Sequence, residues 1–441
     1  MRYESMRILQ LTPGSGDNFY CENCLRDLAL VRAFQKAGHD ITMVPMYLPI
    51  DPGSQPFPSQ APIFFGGINV YLQQKLGLFR KTPRFLDRFF DSSFLLKGVG
   101  KLAGMTSAKD LGQTTLSMLQ GRDGKQLKEL ERLANWLASL NPKPDVIIVS
   151  NILLAGLAPA LKERLNIPVI CLLQDEEGFL DTLPEPYAEQ CWQRVRQHAA
   201  SFDALVCVSD YYRQIMQERL EIETMPVIPM GIDPAGFKTS SQLPEVPTIG
   251  FLSKMCHDHG LDILINALHL LRHDDRLKYT MLRVTGGKDA GDKVFLNKMQ
   301  NRINAMGLSD AVDYVDDYTD HSRKEFLKNI SVMVLPSRKP LAYGLFALES
   351  CAASRPFVLP DLGVFPELVR KTNAGVLYHP NNPVRLSESL RSLLTDPEKM
   401  LQLGRQGRQA IETTYSIDRT VARLTELFVT LCDTIKEKQN A

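Results

Sequence analysis

The chain has 441 residues, a charged fraction of 23% and a formal net charge of +1 at pH 7. Its length exceeds that of a single ordinary core, so two domains are expected. The composition is that of a globular protein and argues against extensive disorder. Because the net charge is close to zero, nothing indicates a nucleic-acid binder with a basic surface, and no nucleic-acid partner is expected.

The N-terminal sequence MRYESMRILQLTPG passes almost at once into a strand-like run and lacks the pattern of a signal peptide. The most hydrophobic segment, 146–161, is interrupted by Ser150 and Asn151. This pattern predicts strand, turn and helix and not a membrane span. The eight cysteines are scattered, and without a secretion signal they predict reduced, buried thiols. A cytoplasmic protein is therefore expected.

Short apolar runs alternate with helical patterns throughout the first half. Strands are predicted at 7–11, 41–45, 145–149, 169–173 and 204–209. Helices are predicted at 23–37, 69–79, 127–140, 154–165 and 210–220. Alternation of this kind predicts right-handed βαβ units and a parallel sheet.

A stretch rich in Pro, Gly and Ser, 226–247, marks a domain boundary. The alternation restarts after it, with strands predicted at 248–252, 280–285, 312–315, 332–335 and 357–359. Helices are predicted at 261–272, 294–306, 322–329, from about 344, at 383–394 and at 417–435. The strand at 357–359 and the helix at 383–394 are expected to close this unit.

We therefore expect a Rossmann-like domain over 1–230 and a linker over 231–247. A second Rossmann-like domain is expected over 248–415, and a final helix over 416–441 is expected to cross back to the first domain. Two doubly wound domains of this type face a central cleft, and their ligands lie beyond the carboxyl ends of the strands.

Four segments of the second half carry a family pattern: Gly250-Phe-Leu-Ser-Lys-Met-Cys-His-Asp-His-Gly-Leu-Asp262, Arg283-Val-Thr-Gly-Gly287, Tyr343-Gly-Leu-Phe-Ala-Leu-Glu349 with its continuation to Val358, and Gly363-Val-Phe-Pro-Glu367. In this order and at these separations, they resemble the retaining GT-B glycosyltransferases, family 4 in particular. The resemblance covers 245–430 well. The first half is similar more loosely, through its glycine-bearing first loop and the turn at Gly38-His39-Asp40.

The resemblance implies α/β GT-B architecture, with two doubly wound parallel-sheet domains. It makes 1–230 the acceptor-side domain and 248–415 the nucleotide-sugar-binding domain. It also implies transfer of a hexosyl group from a nucleotide diphosphate sugar to an acceptor hydroxyl, with retention and without metal. The nucleotide sugar is then a co-substrate, and no bound cofactor is expected. No D-x-D motif stands at a strand end to hold a metal ion.

A diphosphate needs positive charge and N–H donors, and the N-terminus of a helix supplies both. The helix start formed by Gly344, Leu345 and Phe346 fits this role, and Lys254 adds a point charge. The resemblance implies that Glu349 accepts hydrogen bonds from both ribose hydroxyls. Glu349 as an ordinary helix salt bridge, and Lys254 as a surface lysine, are the alternatives. The remaining donor-site residues implied by the family motifs are Gly287, Tyr343 and His259.

Three positions depart from the family pattern. Leu341 stands where the family has a Glu that binds the hexose, Phe251 replaces its Arg, and His259 replaces its Lys before Gly260. Leucine accepts no hydrogen bond, so sugar recognition is lost or moved there. Histidine replaces lysine only when it is protonated, and a nearby diphosphate favours that form. A loop residue without a ligand is the alternative for His259.

In the first half, the loop with Gly14, Ser15 and Gly16 follows the first strand, and the resemblance places it under the donor phosphates and sugar. An ordinary tight turn is the alternative. Asp175 or Glu176, at the end of the strand predicted at 169–173, could orient an acceptor hydroxyl or stabilise developing positive charge on the sugar. Solvated loop carboxylates are the alternative there.

Two further segments each allow more than one interpretation. Cys21 and Cys24 form a C-x-x-C pair without a second pair or a nearby His pair, so cysteines lining a ligand loop are a better interpretation than a metal site. The basic and aromatic segment 75–101 suits either peripheral contact with an anionic inner membrane face or a cover over the acceptor cleft. Expected acceptors are a carbohydrate, a lipid-linked molecule or a small molecule.

Two rival functions remain open. The first is a catalytically silent GT-B scaffold that binds a nucleotide or a partner subunit, which the three altered positions favour. The second is a sugar-nucleotide epimerase of the same architecture, which the glycine and Glu349 pattern supports less well.

Overall fold

The computed structural model describes residues 5–13, 21–46, 108–239, 242–288 and 290–440. The chain divides into two compact units, each built around one sheet. The first contains 1–16, 23–229 and 421–441, and the second contains 17–22 and 230–420. The longer segment of the second unit thus begins at Met230 and includes the segment 231–247 that the sequence pattern marked as a linker.

A five-stranded parallel sheet with the order β2-β1-β3-β4-β5 forms the centre of the first unit. Its strands are β1 (Arg7–Thr12), β2 (Asp40–Pro45), β3 (Val146–Val149), β4 (Val169–Leu172) and β5 (Ala204–Val206). All residues of β3 and β4 are buried, as expected for strands covered on both faces. The strand order reverses between β1 and β3, so this point is the topological switch point where a ligand of such a sheet is expected.

The described helices of the first unit are α1 (Glu22–Lys36), α2 (Ala108–Leu119), α3 (Leu127–Ser139), α4 (Ala158–Leu165), α5 (Glu176–Leu180), α6 (Tyr187–Ala199) and α7 (Asp210–Leu220). The last helix of the chain, α15 (Ile417–Asn440), belongs to this unit from Val421 onward. Phe428 of α15 stacks on Phe34 of α1, with ring centroids 5.8 Å apart, and both side chains are fully buried. The C-terminal helix therefore contributes to the core of the first unit.

A six-stranded parallel sheet with the order β11-β10-β9-β6-β7-β8 forms the centre of the second unit. Its strands are β6 (Thr248–Leu252), β7 (Met281–Thr285), β8 (Val312–Tyr314), β9 (Val332–Val334), β10 (Phe357–Pro360) and β11 (Gly375–Tyr378). The switch point of this sheet lies between β6 and β9.

The described helices of the second unit are α8 (Leu261–Leu271), α9 (Lys293–Ala305), α10 (Asp320–Lys328), α11 (Leu345–Ala352), α12 (Phe365–Thr372), α13 (Pro383–Leu394) and α14 (Pro397–Thr413). Two parallel α/β domains are thus confirmed, and each predicted strand occurs within three residues of its predicted bounds. The prediction that 383–394 closes the second unit is wrong, because α14 follows it in the same unit. Helix α12 and strand β11 were also not foreseen. The helix predicted at 69–79 lies outside the described residues.

Candidate functional site

The carboxyl ends of three strands at the switch point of the second unit are joined by backbone hydrogen bonds between their loops. Met255 N, after β6, donates to Gly287 O, after β7, at 2.9 Å. Arg338 N, after β9, donates to Asp258 O at 2.8 Å. These bonds hold the loops that carry Lys254, His259 and Gly287 on one edge of the sheet. The structure therefore brings together three of the residues that the family pattern assigned to the donor.

Lys254 is the cation closest along the chain to the end of β6. Its Nζ lies 3.5 Å from Asp292 Oδ2, and the two side chains are 25% and 12% exposed. Phe251, where the family has its arginine, lies within β6 and is fully buried. A charge at position 251 would therefore enter the hydrophobic core. The nearest positively charged side chain after this position is Lys254, three residues beyond.

His259 is held by the turn that follows Lys254. Its Nδ1 lies 3.0 Å from Lys254 O and 2.8 Å from Ser253 Oγ. A carbonyl oxygen only accepts hydrogen bonds, so Nδ1 carries the proton and Nε2 is the acceptor atom of the neutral ring. Burial lowers the pKa of His259 below its usual 6.5, against an opposing effect of the Lys254 carbonyl. Without ligand, His259 is therefore a neutral side chain near pH 7.

Glycine is required where these loops approach one another. Gly260 has φ +74°, and a Cβ there would lie 2.0 Å from Pro336 O, in the loop after β9. Gly286 has φ +120°, and a Cβ there would lie 2.2 Å from Ser253 O. Any larger residue would separate the loops, which explains these two glycines of the family pattern.

Helix α11 begins at Leu345, preceded by Gly344. The first N–H groups of a helix have no acceptor within the helix, and the macrodipole makes this end attractive to anions. All eight residues of α11 are buried, so Leu345 and Phe346 offer backbone groups, while their side chains belong to the core. Tyr343 is also buried, and its hydroxyl donates to Met230 O at 3.3 Å. The N–H of Leu345 donates to a carboxylate oxygen, Glu22 Oε2, at 3.2 Å, so this end of α11 presents backbone N–H donors to a negatively charged group.

Glu349 lies one turn into α11, and its side chain is 5% exposed. Arg323 Nε of α10 donates to Glu349 Oε1 at 3.2 Å. The salt bridge weighed from the sequence therefore exists, but between buried side chains and with a residue that the sequence analysis did not single out. No sequence pattern pointed to Arg323, since 26 residues separate the pair.

Leu341 lies in the loop after β9, and its backbone contacts the turn that precedes α12. Val364 N donates to Leu341 O at 3.0 Å, and a Cβ on Gly363 would lie 2.7 Å from Leu341 N. The loop after β9 is therefore packed against the turn that precedes α12. A leucine side chain at 341 supplies no polar group for a sugar.

A second polar cluster lies at the switch point of the first unit. Thr12 Oγ1, at the end of β1, donates to Asp27 Oδ2 at 2.8 Å, and Ser150 Oγ, after β3, donates to the same oxygen. Arg26 Nη2 lies 3.2 Å from Asp27 Oδ1 and donates to Ser150 O at 3.2 Å. All four side chains are buried. In the sequence, Ser150 stood out only as a break in an apolar run. Its position directly after β3 was the one sign that it could belong to a polar cluster at the end of the sheet.

Glu176 uses its carboxylate to fix the loop after β4. Its Oε2 accepts from Gln174 N and from Tyr212 Oη, each at 2.6 Å, and its Oε1 accepts from Ile152 N at 3.2 Å. Burial raises the pKa of Glu176 above its usual 4.5, against these hydrogen bonds. The three hydrogen bonds described for the Glu176 carboxylate all come from the protein, and they hold this loop in place.

The carboxylates on either side of Glu176, Asp175 and Glu177, have different surroundings. Asp175 has a left-handed backbone, with φ 67°, at the cap of α5. Glu177 is 9% exposed, and its Oε2 is buried with no hydrogen-bond partner among the described residues. Burial, together with the charge of Asp175, raises the pKa of Glu177 to about 7. Glu177 was not singled out from the sequence, although the run Asp175-Glu176-Glu177 contains it.

Several predicted features lie outside the described residues, namely Gly14, Ser15, Gly16 and the segment 75–101. None of the eight cysteines, Cys21 and Cys24 included, forms a disulfide bond. Within the described ranges, no group of three or more His, Cys, Asp or Glu residues is arranged to hold a metal ion. No described helix is both long enough and apolar enough to cross a membrane.

Two family models match successive parts of the chain. The model for "Glycosyltransferase Family 4" matches residues 115–235, and that for "Glycosyl transferases group 1" matches residues 237–410. The chain belongs to the GT-B glycosyltransferases. The second match contains Lys254, His259, Gly287 and the start of α11, so the loops described above lie within the part that defines the family.

Similar proteins agree with this family. D-inositol 3-phosphate glycosyltransferase of Streptomyces bingchenggensis is 29% identical to this glycosyltransferase over 145 residues, which are 32% of each chain. The match thus spans about a third of that relative's length. Sucrose-phosphate synthase from Thermosynechococcus elongatus has a similar structure, with TM-score 0.70, 16% identity, and coverage of 97% of this chain and all of the other. Anabaena HepE in complex with UDP follows, with TM-score 0.64, 16% identity and the same coverage.

Proposed function

We propose that this glycosyltransferase transfers a hexosyl group from a nucleotide diphosphate sugar to an acceptor hydroxyl, with retention and without a metal ion. One observation carries the proposal: Lys254, His259 and Gly287 lie on hydrogen-bonded loops at the switch point of the second sheet. HepE, a structural neighbour, is described as a complex with UDP, which supports a nucleotide ligand.

In this proposal the diphosphate contacts Lys254 and the N–H groups at the start of α11. Lys254 exchanges its contact with Asp292 for a phosphate oxygen. The N–H of Leu345 likewise exchanges its acceptor, Glu22 Oε2 at 3.2 Å, for the diphosphate, and the N–H of Phe346 donates beside it. Bond cleavage places additional negative charge on the departing diphosphate. Fixed positive groups stabilise that charge, and the loss of one such donor typically slows catalysis by about 10²–10³-fold.

The sugar-binding contacts differ from the family pattern. Glu349 accepts hydrogen bonds from the ribose hydroxyls, a role taken from the family resemblance. Leu341 cannot bind a hexose hydroxyl, so other groups must recognise the transferred sugar. Retention of configuration also rests on the family resemblance.

For the acceptor, we propose the loop after β4. Glu176 fixes this loop through three accepted hydrogen bonds, and Asp175 is the carboxylate that orients the acceptor hydroxyl. The acceptor class remains a carbohydrate, a lipid-linked molecule or a small molecule, and peripheral membrane contact through 75–101 belongs to the lipid-linked case.

A silent scaffold is the second candidate, and the altered donor site favours it. Phe251 is a core residue, Leu341 offers no side-chain acceptor, and burial lowers the pKa of His259. A protein of this kind would bind a nucleotide without turning it over.

Thermal-shift measurements with UDP, GDP, ADP and their sugars test nucleotide binding. A ligand that binds only the folded protein stabilises it by about 2.7 kcal/mol at 100 times its Kd. Lys254→Ala should abolish most of the shift, whereas Lys298→Ala, at an exposed position on α9, should leave it unchanged. If no nucleotide raises the melting temperature, the transferase proposal fails.

Turnover separates the candidate functions. Hydrolysis or transfer of the bound nucleotide sugar indicates an enzyme, and binding without turnover indicates a scaffold. Conversion of the nucleotide sugar into its epimer would indicate an epimerase and contradict the transferase.

A further inference from the structure

Arg323 and Glu349 form a buried ion pair in the second unit. Arg323 lies on α10 and Glu349 on α11, and their side chains are 7% and 5% exposed. Arg323 Nε donates to Glu349 Oε1 at 3.2 Å. None of the family motifs includes Arg323, so the proposed donor site does not yet explain it.

The guanidinium group of Arg323 is fixed at both other nitrogens. Nη1 donates to Tyr318 O at 3.0 Å, and Nη2 donates to Asp320 Oδ1 at 3.3 Å. Because the group is planar, these two bonds set the direction in which Nε points. The beginning of α10 thus determines the orientation of one Glu349 oxygen.

A pair of this kind is not explained by stability alone. Removing two charges from water is costly, and buried ion pairs are often replaced by apolar residues with no loss of stability. An ionised carboxylate accepts hydrogen bonds at about four lone-pair positions, and the bond from Arg323 uses one of them. This bond restricts the orientation of the Glu349 carboxylate relative to α11.

We propose that Arg323 is a positioning residue that orients Glu349 toward the ribose hydroxyls of the nucleotide and so sets a preference for ribonucleotides over deoxyribonucleotides. The inference rests on the proposed nucleotide-sugar function and adds a determinant of its specificity. A pair that instead blocked Glu349 would weaken ribonucleotide binding, so the two roles predict opposite effects when Arg323 is replaced.

The test compares the Kd of UDP, GDP and ADP with the Kd of their 2′-deoxy counterparts, measured by calorimetry on the full chain. Wild-type protein should prefer the ribonucleotide by about tenfold, which corresponds to about 1.4 kcal/mol for one hydrogen bond to a charged group. In Arg323→Gln this preference should fall to less than about threefold, with the deoxynucleotide Kd unchanged. Glu349→Gln should show the same loss, and the double variant should lose no more than either single one.

Two further variants control for effects on the fold. Lys324→Gln removes the neighbouring charge on α10, which pairs with Asp320 Oδ2 at 2.7 Å, and should keep the full ribose preference. Arg323→Lys keeps a buried charge but loses the planar fork, so it should fold and still lose part of the preference. Melting temperatures identify variants that lose stability without a change in specificity.

The outcomes are separable. If wild-type protein binds no nucleotide, the proposed function itself fails. If it binds UDP, GDP or ADP without a ribose preference, or if Arg323→Gln and Arg323→Lys keep the preference, nucleotide binding survives and the positioning role is refuted. Tighter ribonucleotide binding by Arg323→Gln would identify the pair as a block and equally overturn the inference.

Discussion

Glu177 has a buried carboxyl group, and its replacement by glutamine should stabilise the protein at alkaline pH. Burial and the charge of Asp175 raise its pKa from the usual 4.5 to about 7. Between these two values the folded protein binds a proton more strongly than the unfolded chain does. The free energy of unfolding therefore falls as the pH rises from about 4.5 to about 7, and it stays lower above that.

The size of the effect follows from the two pKa values. At about 1.4 kcal/mol for each pKa unit, the difference between 4.5 and about 7 amounts to about 3 kcal/mol. Glutamine resembles the protonated carboxyl group and never ionises. Glu177→Gln should therefore match wild type near pH 4.5 and exceed its free energy of unfolding by about 1–3 kcal/mol at pH 8.

Urea unfolding followed by tryptophan fluorescence measures this difference. Both tryptophans of the chain, Trp136 and Trp192, belong to the first unit, so their fluorescence reports the unfolding of the unit that contains Glu177. Glu218→Gln, at an exposed position of α7, should change nothing at either pH. Glu176→Gln should destabilise at both pH values by about 1–3 kcal/mol, because its new amide group would face N–H and O–H donors.

A stability difference for Glu177→Gln that is the same at pH 5 and pH 8 would refute this reasoning. Such a result would mean that the carboxyl group titrates alike in the folded and unfolded chain. Loss of stability at pH 8 would show that the ionised carboxylate has a partner that glutamine cannot replace.

Three other predictions concern the donor loops. Lys254→Ala should weaken nucleotide binding at least tenfold in calorimetry, whereas Lys254→Arg should weaken it much less because it keeps a positive charge. Equal losses of affinity in the two variants would contradict a phosphate contact. Nucleotide binding should weaken as the pH rises from 6 to 9, because a diphosphate favours protonated His259, which loses its proton over this range. His259→Lys should make the affinity independent of pH over the same range. Wild-type affinity that does not change with pH would exclude a phosphate contact of His259. Gly260→Ala should lower the free energy of unfolding by more than about 2 kcal/mol. Gly307 also has a positive φ but open space around it, so Gly307→Ala should lower the free energy of unfolding by about 1 kcal/mol. Similar values for the two variants in urea titrations would show that the close approach to Pro336 does not require glycine.

Ten of the eleven strands in the described part of the chain could be predicted from the sequence, because they are short apolar runs, whereas β11 was not foreseen. Helix α14 could not be predicted, since Gly404 and Gly407 in its interior are typical of a loop. The structure explains both: a Cβ at Gly404 would lie 2.2 Å from Ser354 O, and one at Gly407 would lie 2.9 Å from Cys351 Sγ. These glycines allow the close packing of α14 against α11 and the turn after it, a tertiary contact that no local pattern contains.

The same limit applies to the candidate site. Gly344, Lys254 and Glu349 were identified because the family motifs are contiguous in the chain. Arg323 and Glu177 were missed because their significance depends on partners and burial that only the folded chain reveals. Sequence patterns therefore located the loops, while the protonation and orientation of their side chains required the structure.

The shared core of Phe34 and Phe428 restricts how the chain can be divided for separate production. A fragment that stops at residue 229 would leave Phe34 facing solvent in place of its aromatic partner, and such a half-protein should aggregate. A workable version of the first unit must recover 421–441, through a short engineered linker or as an added peptide. By contrast, a fragment of 230–420 contains every strand of its own sheet.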